Sequence, residues 1–305
     1  MKPLLLACVS LLFAGLVTVG AQGPLAPAIS SSYVPQRVYD TRRAAFTDFE
    51  AMTADLSRAD VVLIGEQHDD ANTHRLELAV LEALARRNVP VTLSLEMFER
   101  DVQQSVDTYM SGSSAEDEFL KRSRPWPRYA TDYRPLVEFA RARRWPVVAA
   151  NVPRRIAADV AKVGKPAVDS LNSADRSLAA ADLQCPHDAY FNRFAEQMGG
   201  HESASTGSAD VTTERYYLAQ CIKDETMAES IAAAFAKLDG RPGVVVHVTG
   251  SFHSDYGEGT GERVRRRLAG RRVTTVSISP AESLDTIAPL ADDLKRADYL
   301  VYTVK

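Results

Sequence analysis

VVLIGEQHDDANTHRLELAVLEALARRNVPVTLSLEMFER, residues 61–100, reads as strand, helix, strand. VVLI (61–64) and VTLSL (91–95) are short, largely β-branched runs without a polar face. Between them THRLELAVLEALARR repeats Leu76, Val80 and Leu84 every fourth residue, the period of one helical face. Apolar strands joined by an amphipathic helix form a βαβ unit, whose two strands run parallel and are covered on both sides. The same grammar recurs in VVAA (147–150), VVVHV (244–248), VTTVSI (273–278) and YLVYTV (299–304). The expected fold is α/β: a mainly parallel β-sheet flanked by helices on both faces.

The third and fourth runs lie too far apart for one crossover. PRRIAADVAKV, AYFNRFAEQM and TERYYLAQCIKDETMAESIAAAFAKL fill the gap with helical pattern, so residues 153–240 are expected to be an inserted helical subdomain. The α/β body is then 38–152 and 241–305. GGHESASTGSAD, Gly- and Ser-rich, is expected to be a mobile loop.

At the start, MKPLLLACVSLLFAGLVTVGAQG has one Lys, a run of about sixteen apolar residues and a small-residue ending at Ala21, the layout of an export signal over residues 1–21. The run is short of the about 20 residues that a membrane span prefers. LLAC ends at Cys8 with only seven residues before it, which disfavours lipid anchoring there. Residues 22–37, rich in Pro, Ala and Ser, are expected to be a flexible linker. Export places the mature chain in the periplasm or outside the cell. A disulfide between Cys185 and Cys221 is the first expectation there, with two separate buried thiols as the alternative.

The formal net charge of −4 gives no general attraction for nucleic acid or anionic membranes, and the basic triplet 265–267 reads as the solvated face of a helix. Gly250, Gly257, Gly259 and Gly261 match neither a dinucleotide fingerprint nor a phosphate loop, so they are read as turn-formers that bring His253 close to a ligand.

In open parallel sheets ligands bind beyond the carboxyl ends of the strands. Glu66 and His68 follow the first run, Glu96 ends the second, Asn151 ends the third, and His253 and Tyr256 follow the fourth. Any one of these has an ordinary structural explanation, as a helix cap or a hydrogen-bonded histidine. Their agreement at one sheet edge points to a site. His74, one turn into the first helix, could face it or not; His247, inside a strand, is expected to be a core histidine bonded to backbone. His187 and His201 belong to the insertion, where solvent is the default.

GEQHDD, LEMFERDVQ, WPRYATDYRPLVEFAR, AANVPRRIA, AQCIKDETMAESIA and GSFHSDYGEG, in this order, resemble the ChaN family of exported, iron-regulated haem-binding proteins, within the Tiki/TraB/erythromycin esterase-like superfamily. The superfamily's two GxxH motifs and acidic residues correspond here to Gly65–His68, Gly250–His253, Glu66 and Glu96. The resemblance implies haem binding and a role in haem or iron uptake, with haem shared across a homodimer and an outer-membrane uptake partner as the associations to look for.

Two chemistries follow. As a binding protein, the chain would hold haem in a cleft at the sheet edge, with His253 and Tyr256 as leading iron ligands, His68 next, and Met97, Phe98, Trp126, Tyr129, Tyr133 and Met198 as walls. As an enzyme, Glu66, His68, Glu96 and His253 would hold a divalent metal ion, or work as acid and base without one, to hydrolyse an ester or peptide bond. There is no GxSxG and no cysteine at a strand end to serve as nucleophile.

Overall fold

The structure is a computed structural model that describes residues 34–199 and 211–305. The expected export signal with Cys8, nearly all of the linker, and the polar segment with His201 lie outside the described residues. Val34–Lys305 forms one compact unit.

In chain order the elements are β1 (Gln36–Asp40), β2 (Ala45–Thr47), α1 (Phe49–Leu56), β3 (Val61–Glu66), α2 (Ala71–Arg86), β4 (Val91–Glu99), α3 (Gln103–Met110), α4 (Glu116–Ser123), α5 (Arg134–Arg143) and β5 (Val147–Asn151). After these come α6 (Arg154–Val163), α7 (Lys165–Asp169), α8 (Ser173–Leu178), α9 (Ala189–Gly199), α10 (Val211–Ala236), β6 (Val244–Gly250), α11 (Gly259–Arg267), β7 (Val273–Ala281) and β8 (Tyr299–Val304). All six apolar runs are strands. The eight strands form one sheet in the order β2-β1-β8-β7-β3-β6-β4-β5, parallel from β8 to β5. The linker expected through residue 37 ends earlier: Gln36 and Arg37 already pair antiparallel with β8.

β3 shows why its run has no polar face. Val62 and Ile64 pack with Leu76, Val80 and Leu84 of α2, while Val61 and Leu63 pack with Ala228 and Ile231 of α10 and Val264 of α11. Alternate side chains thus enter two different cores. Helix α2 starts immediately after the first motif because the Asp70 carboxylate accepts the Asn72 and Thr73 N–H groups. Such a cap contributes about 1 kcal/mol.

Between residues 153 and 240 the described elements are all helices, and the longest, α10, also belongs to the sheet's cover. α10 lies against β5 and β6 as well as α6, α9 and α11. A helix packed on several sides has no solvent face on which to collect its charges, and Asp224 and Glu225 in it are fully buried. Glu225 is met by Arg263, Arg266 and Arg267 at 3.2, 2.7 and 2.5 Å. The basic triplet is therefore no free solvated face; part of it neutralises a buried carboxylate. Cys185 and Cys221 form a disulfide, with Cα atoms 5.8 Å apart, that ties the segment before α9 to α10.

Candidate functional site

β6 follows β3, β4 and β5 in the chain and takes the place between β3 and β4. Its carboxyl end therefore emerges between those that carry Glu66 and Glu96. Gly250 is the register partner of Glu66, and the Glu96 Oε2 accepts from the Gly250 N–H at 2.8 Å and the Thr249 hydroxyl at 2.7 Å. The two GxxH motifs touch through their glycines. A Cβ on Gly65 would lie 2.6 Å from the Ser254 Oγ and 3.1 Å from the Ser251 Cα, and one on Gly250 would lie 2.8 Å from the His68 Nε2. Gly65 is held to glycine by the backbone at Ser251, whereas at Gly250 the neighbour is the movable tip of His68.

Around the first motif, the His68 Nδ1–H donates to the Glu66 Oε1 at 2.5 Å, and the Tyr133 hydroxyl donates to the same oxygen at 2.5 Å. Glu66 and Tyr133 are buried, but the His68 side chain is 49% exposed. Its ring stands edge-on to Trp126 at 5.0 Å. The bond to Glu66, outweighing partial burial, raises the His68 pKa above the ordinary 6.5, with Glu96 adding to the rise. Burial and the Glu66 charge together push the Tyr133 phenol far up, so it stays a donor.

The second motif repeats the pairing inside the protein. The His253 Nδ1–H donates to the Asp224 Oδ1 at 2.7 Å; Tyr190 and Thr260 hydroxyls donate to the same carboxylate, each at 2.8 Å. The His253 Nε2 faces the Glu96 Oε1 at 3.5 Å and the Gln220 amide at 3.2 Å. Burial alone would lower the His253 pKa, but Glu96 and Asp224 raise it above 6.5. Burial would likewise raise the Glu96 carboxyl; His253, His68 and the donors at Thr249 and Gly250 hold it at about 2. Gly259, at φ +53, has no room for a Cβ, which would meet the His253 carbonyl at 2.7 Å and Asp224 at 3.1 Å.

The remaining expected residues are placed as follows. Asn151 is structural in its contacts, donating to the Glu96 carbonyl at 3.2 Å and accepting from the Val152 N–H at 2.9 Å. Met97 is 2% exposed and, like Phe98 and Tyr129, packs in the main core, so it meets no open surface. Tyr256 turns outward: its hydroxyl donates to Asp292 at 2.8 Å, and the Arg193 guanidinium lies 3.6 Å over its ring. It has a left-handed φ of 61°, uncommon for a bulky residue, and lines a separate cleft of ≈ 500 Å³ with Arg193, Phe252 and Arg296. Burial and the bond to Asp292 raise its phenol pKa, away from a phenolate ligand. The Gln67 amide, donating to the Ser251 hydroxyl at 3.1 Å, joins that cleft's rim to the first motif.

His74 is buried behind the first motif, not in the open site. Glu66, His68, Glu96 and His253 do not close on one point as a metal set. Among the described residues, the donor atoms that do lie within 4.8 Å of one another belong to Glu66, His74 and Glu77. Burial and the nearby Glu66 charge raise the Glu77 carboxyl well above its ordinary range. His247 is fully buried, with Nδ1 2.9 Å from the Ser94 hydroxyl, so its partner is a side chain where backbone was expected; burial lowers its pKa to about 4. His187 is exposed and pairs with Glu214 at 3.0 Å.

The sequence profile of the family described as "Haem-binding uptake, Tiki superfamily, ChaN" matches residues 52–264, which hold both GxxH motifs, Glu96 and Asp224. The chain belongs to the ChaN family. Among solved structures, one described as cofacial heme binding to ChaN of Campylobacter jejuni is similar at 16% identity, with a TM-score of 0.64, covering 88% of this chain and 97% of that one. A mutant of the erythromycin esterase EreC in its open conformation is similar at 10% identity and a TM-score of 0.50, covering 88% and 97%. At these identities both comparisons speak to fold. No curated protein matches the sequence.

Proposed function

We propose that the chain is an exported protein of haem or iron uptake that binds haem at the edge where the two GxxH motifs meet, with His68 as the iron ligand. The carrying observation is the half-exposed His68 imidazole whose Nδ1–H is held by buried Glu66. A haem-ligating histidine offers one nitrogen to iron and keeps the other bonded to an orienting acceptor, which fixes its tautomer and raises its basicity. The donor set fits haem in this respect. Trp126, half-buried and edge-on to the His68 ring, is the apolar wall beside it. His253 and Tyr256 rank below His68: the first is 6% exposed with both ring nitrogens engaged, and the second is committed to Asp292 and Arg193.

The Campylobacter structure's description as cofacial heme binding motivates cofacial haem here, and a half-exposed ligand motivates a second copy of the chain covering the bound haem. Haemin titrated into the purified protein is expected to give a saturable Soret shift that survives Tyr256→Phe, with a rise in apparent mass on loading. A featureless titration would remove the proposal. Because a coordinating imidazole must be deprotonated, protons compete with iron. The raised His68 pKa predicts that affinity begins to fall on acidification above pH 6.5, earlier than for an unpaired histidine.

A second reading rests on a different observation: Glu96, ionised and buried, faces the His253 Nε2, whose other nitrogen is held by Asp224. A carboxylate and an oriented imidazole are the groups needed for acid–base hydrolysis. Turnover of an ester or peptide by haem-free protein, lost in Glu96→Gln, would support it; inactivity across a broad panel would exclude it.

A further inference from the structure

Behind the first motif lies a second cluster with one polar arrangement left uncompleted. The His74 Nε2 faces only acceptors, the His68 carbonyl at 3.2 Å and the Asp132 Oδ2 at 3.5 Å, and Asp132 is itself fixed by Arg128 at 2.7 Å. Nε2 therefore carries the ring hydrogen. The lone pair of a neutral ring then sits on Nδ1, which faces the Glu77 Oε2 at 3.1 Å and the Glu66 Oε2 at 3.7 Å. Three acceptors point at one another.

Glu66 makes the imbalance plain. Both of its donors, His68 and Tyr133, go to Oε1, while Oε2 is buried and has no hydrogen-bond partner. The Glu77 Oε1 is also buried and unpartnered. Glu66, His74 and Glu77 are 2%, 3% and 0% exposed, and among the described residues no Lys or Arg pairs with either glutamate. Two buried carboxylates in contact, with only the His74 ring beside them, are strongly unfavourable unless they share a proton or take up a cation.

We propose that Glu66, His74 and Glu77 bind a divalent transition-metal ion in a closed structural site. One imidazole and two carboxylates suit zinc, manganese or iron(II), and the two negative charges match the ion's. The His74 ring, with its other nitrogen donated to a carbonyl and a carboxylate, already has the outer hydrogen bonding of a metal-bound histidine. Through Glu66 the ion would set the position of His68 from behind, but the site itself does not depend on haem binding.

Metal content measured on haem-free protein, purified without chelator, tests this. The expected result is about one divalent ion per chain, as for a structural site, retained in His68→Ala/His253→Ala and reduced about tenfold or more in Glu77→Gln. Should Glu77→Gln fail to fold, the native protein loaded with cobalt(II) is expected to show visible ligand-field bands that the double histidine variant leaves unchanged. Loss of the ion in that double variant, with the variant still folded, would assign it to His68 and His253 and overturn the proposal. So would native protein that holds no metal and is not stabilised against heat by added zinc or manganese; a proton shared between the glutamates would then fill the role.

Discussion

The two GxxH motifs carry the same chemical pair, a carboxylate on a histidine Nδ1, in opposite surroundings. Glu66–His68 ends in a side chain 49% exposed, whereas Asp224–His253 has both partners inside, at 0% and 7%. The carboxylate comes from the same strand end in the first motif and from the distant α10 in the second. One pair presents a nitrogen to whatever arrives at the sheet edge; the other fixes the floor on which Glu96 stands ionised. Identical letters in a motif thus do not mean identical work.

Truncating the internal pair should have the largest effect on folding. Asp224→Ala leaves His253, Tyr190 and Thr260 without their shared acceptor, and breaking such a buried pair costs about 3–5 kcal/mol in urea denaturation. His68→Ala removes one of the two donors to buried Glu66 from a half-exposed position and should cost about 0.5–1.5 kcal/mol, well below the loss in Asp224→Ala. Equal losses in the two variants would break the comparison.

The glycines sharpen it. Gly65→Ala drives a Cβ against the Ser251 backbone and the Ser254 hydroxyl, and overpacking of this kind costs about 1–3 kcal/mol. Gly250→Ala meets the tip of a movable side chain, so stability should fall less, while haem affinity falls because His68 is displaced. Tyr133→Phe should cost less again, about 0.5–1.5 kcal/mol for one hydrogen bond to Glu66.

Acid should reveal a further difference. The Glu96 carboxyl titrates at about 2 in the fold against 4.5 ordinarily, so its stabilisation is present above pH 4.5 and is lost as pH falls toward 2. His253→Ala removes the largest favourable influence on that carboxyl and should weaken the acid dependence in pH-stepped denaturation.

Much of this was legible in residues. The β-branched runs located all six parallel strands, because burial on both faces leaves no room for polar alternation. Strand ends pointed to Glu66, His68, Glu96 and His253, but ranked His253 ahead of His68 as iron ligand, because position in the sequence does not show that His253 is buried and His68 half-exposed. Asp224 was missed as the partner of His253: it lies 29 positions away on a helix, and which helix packs behind which strand is a tertiary fact. Its signal was adjacent acids, Asp224 and Glu225, in a long helix with little one-sided character. Tyr256 was ranked by nearness to His253 in sequence, but the left-handed turn at that residue sends its side chain outward. β1 and β2 were missed because short strands at one end of the sheet carry mixed residues that gain their order from neighbours, β1 from β8 and β2 from β1.

Haemin binding followed in the Soret region for His68→Ala beside His253→Ala is the most direct test of the division of labour between the motifs. The account predicts loss of the shifted band in the first variant and its retention, in folded protein, in the second. A native band in His68→Ala together with its loss in folded His253→Ala would show that the iron ligand lies in the other motif.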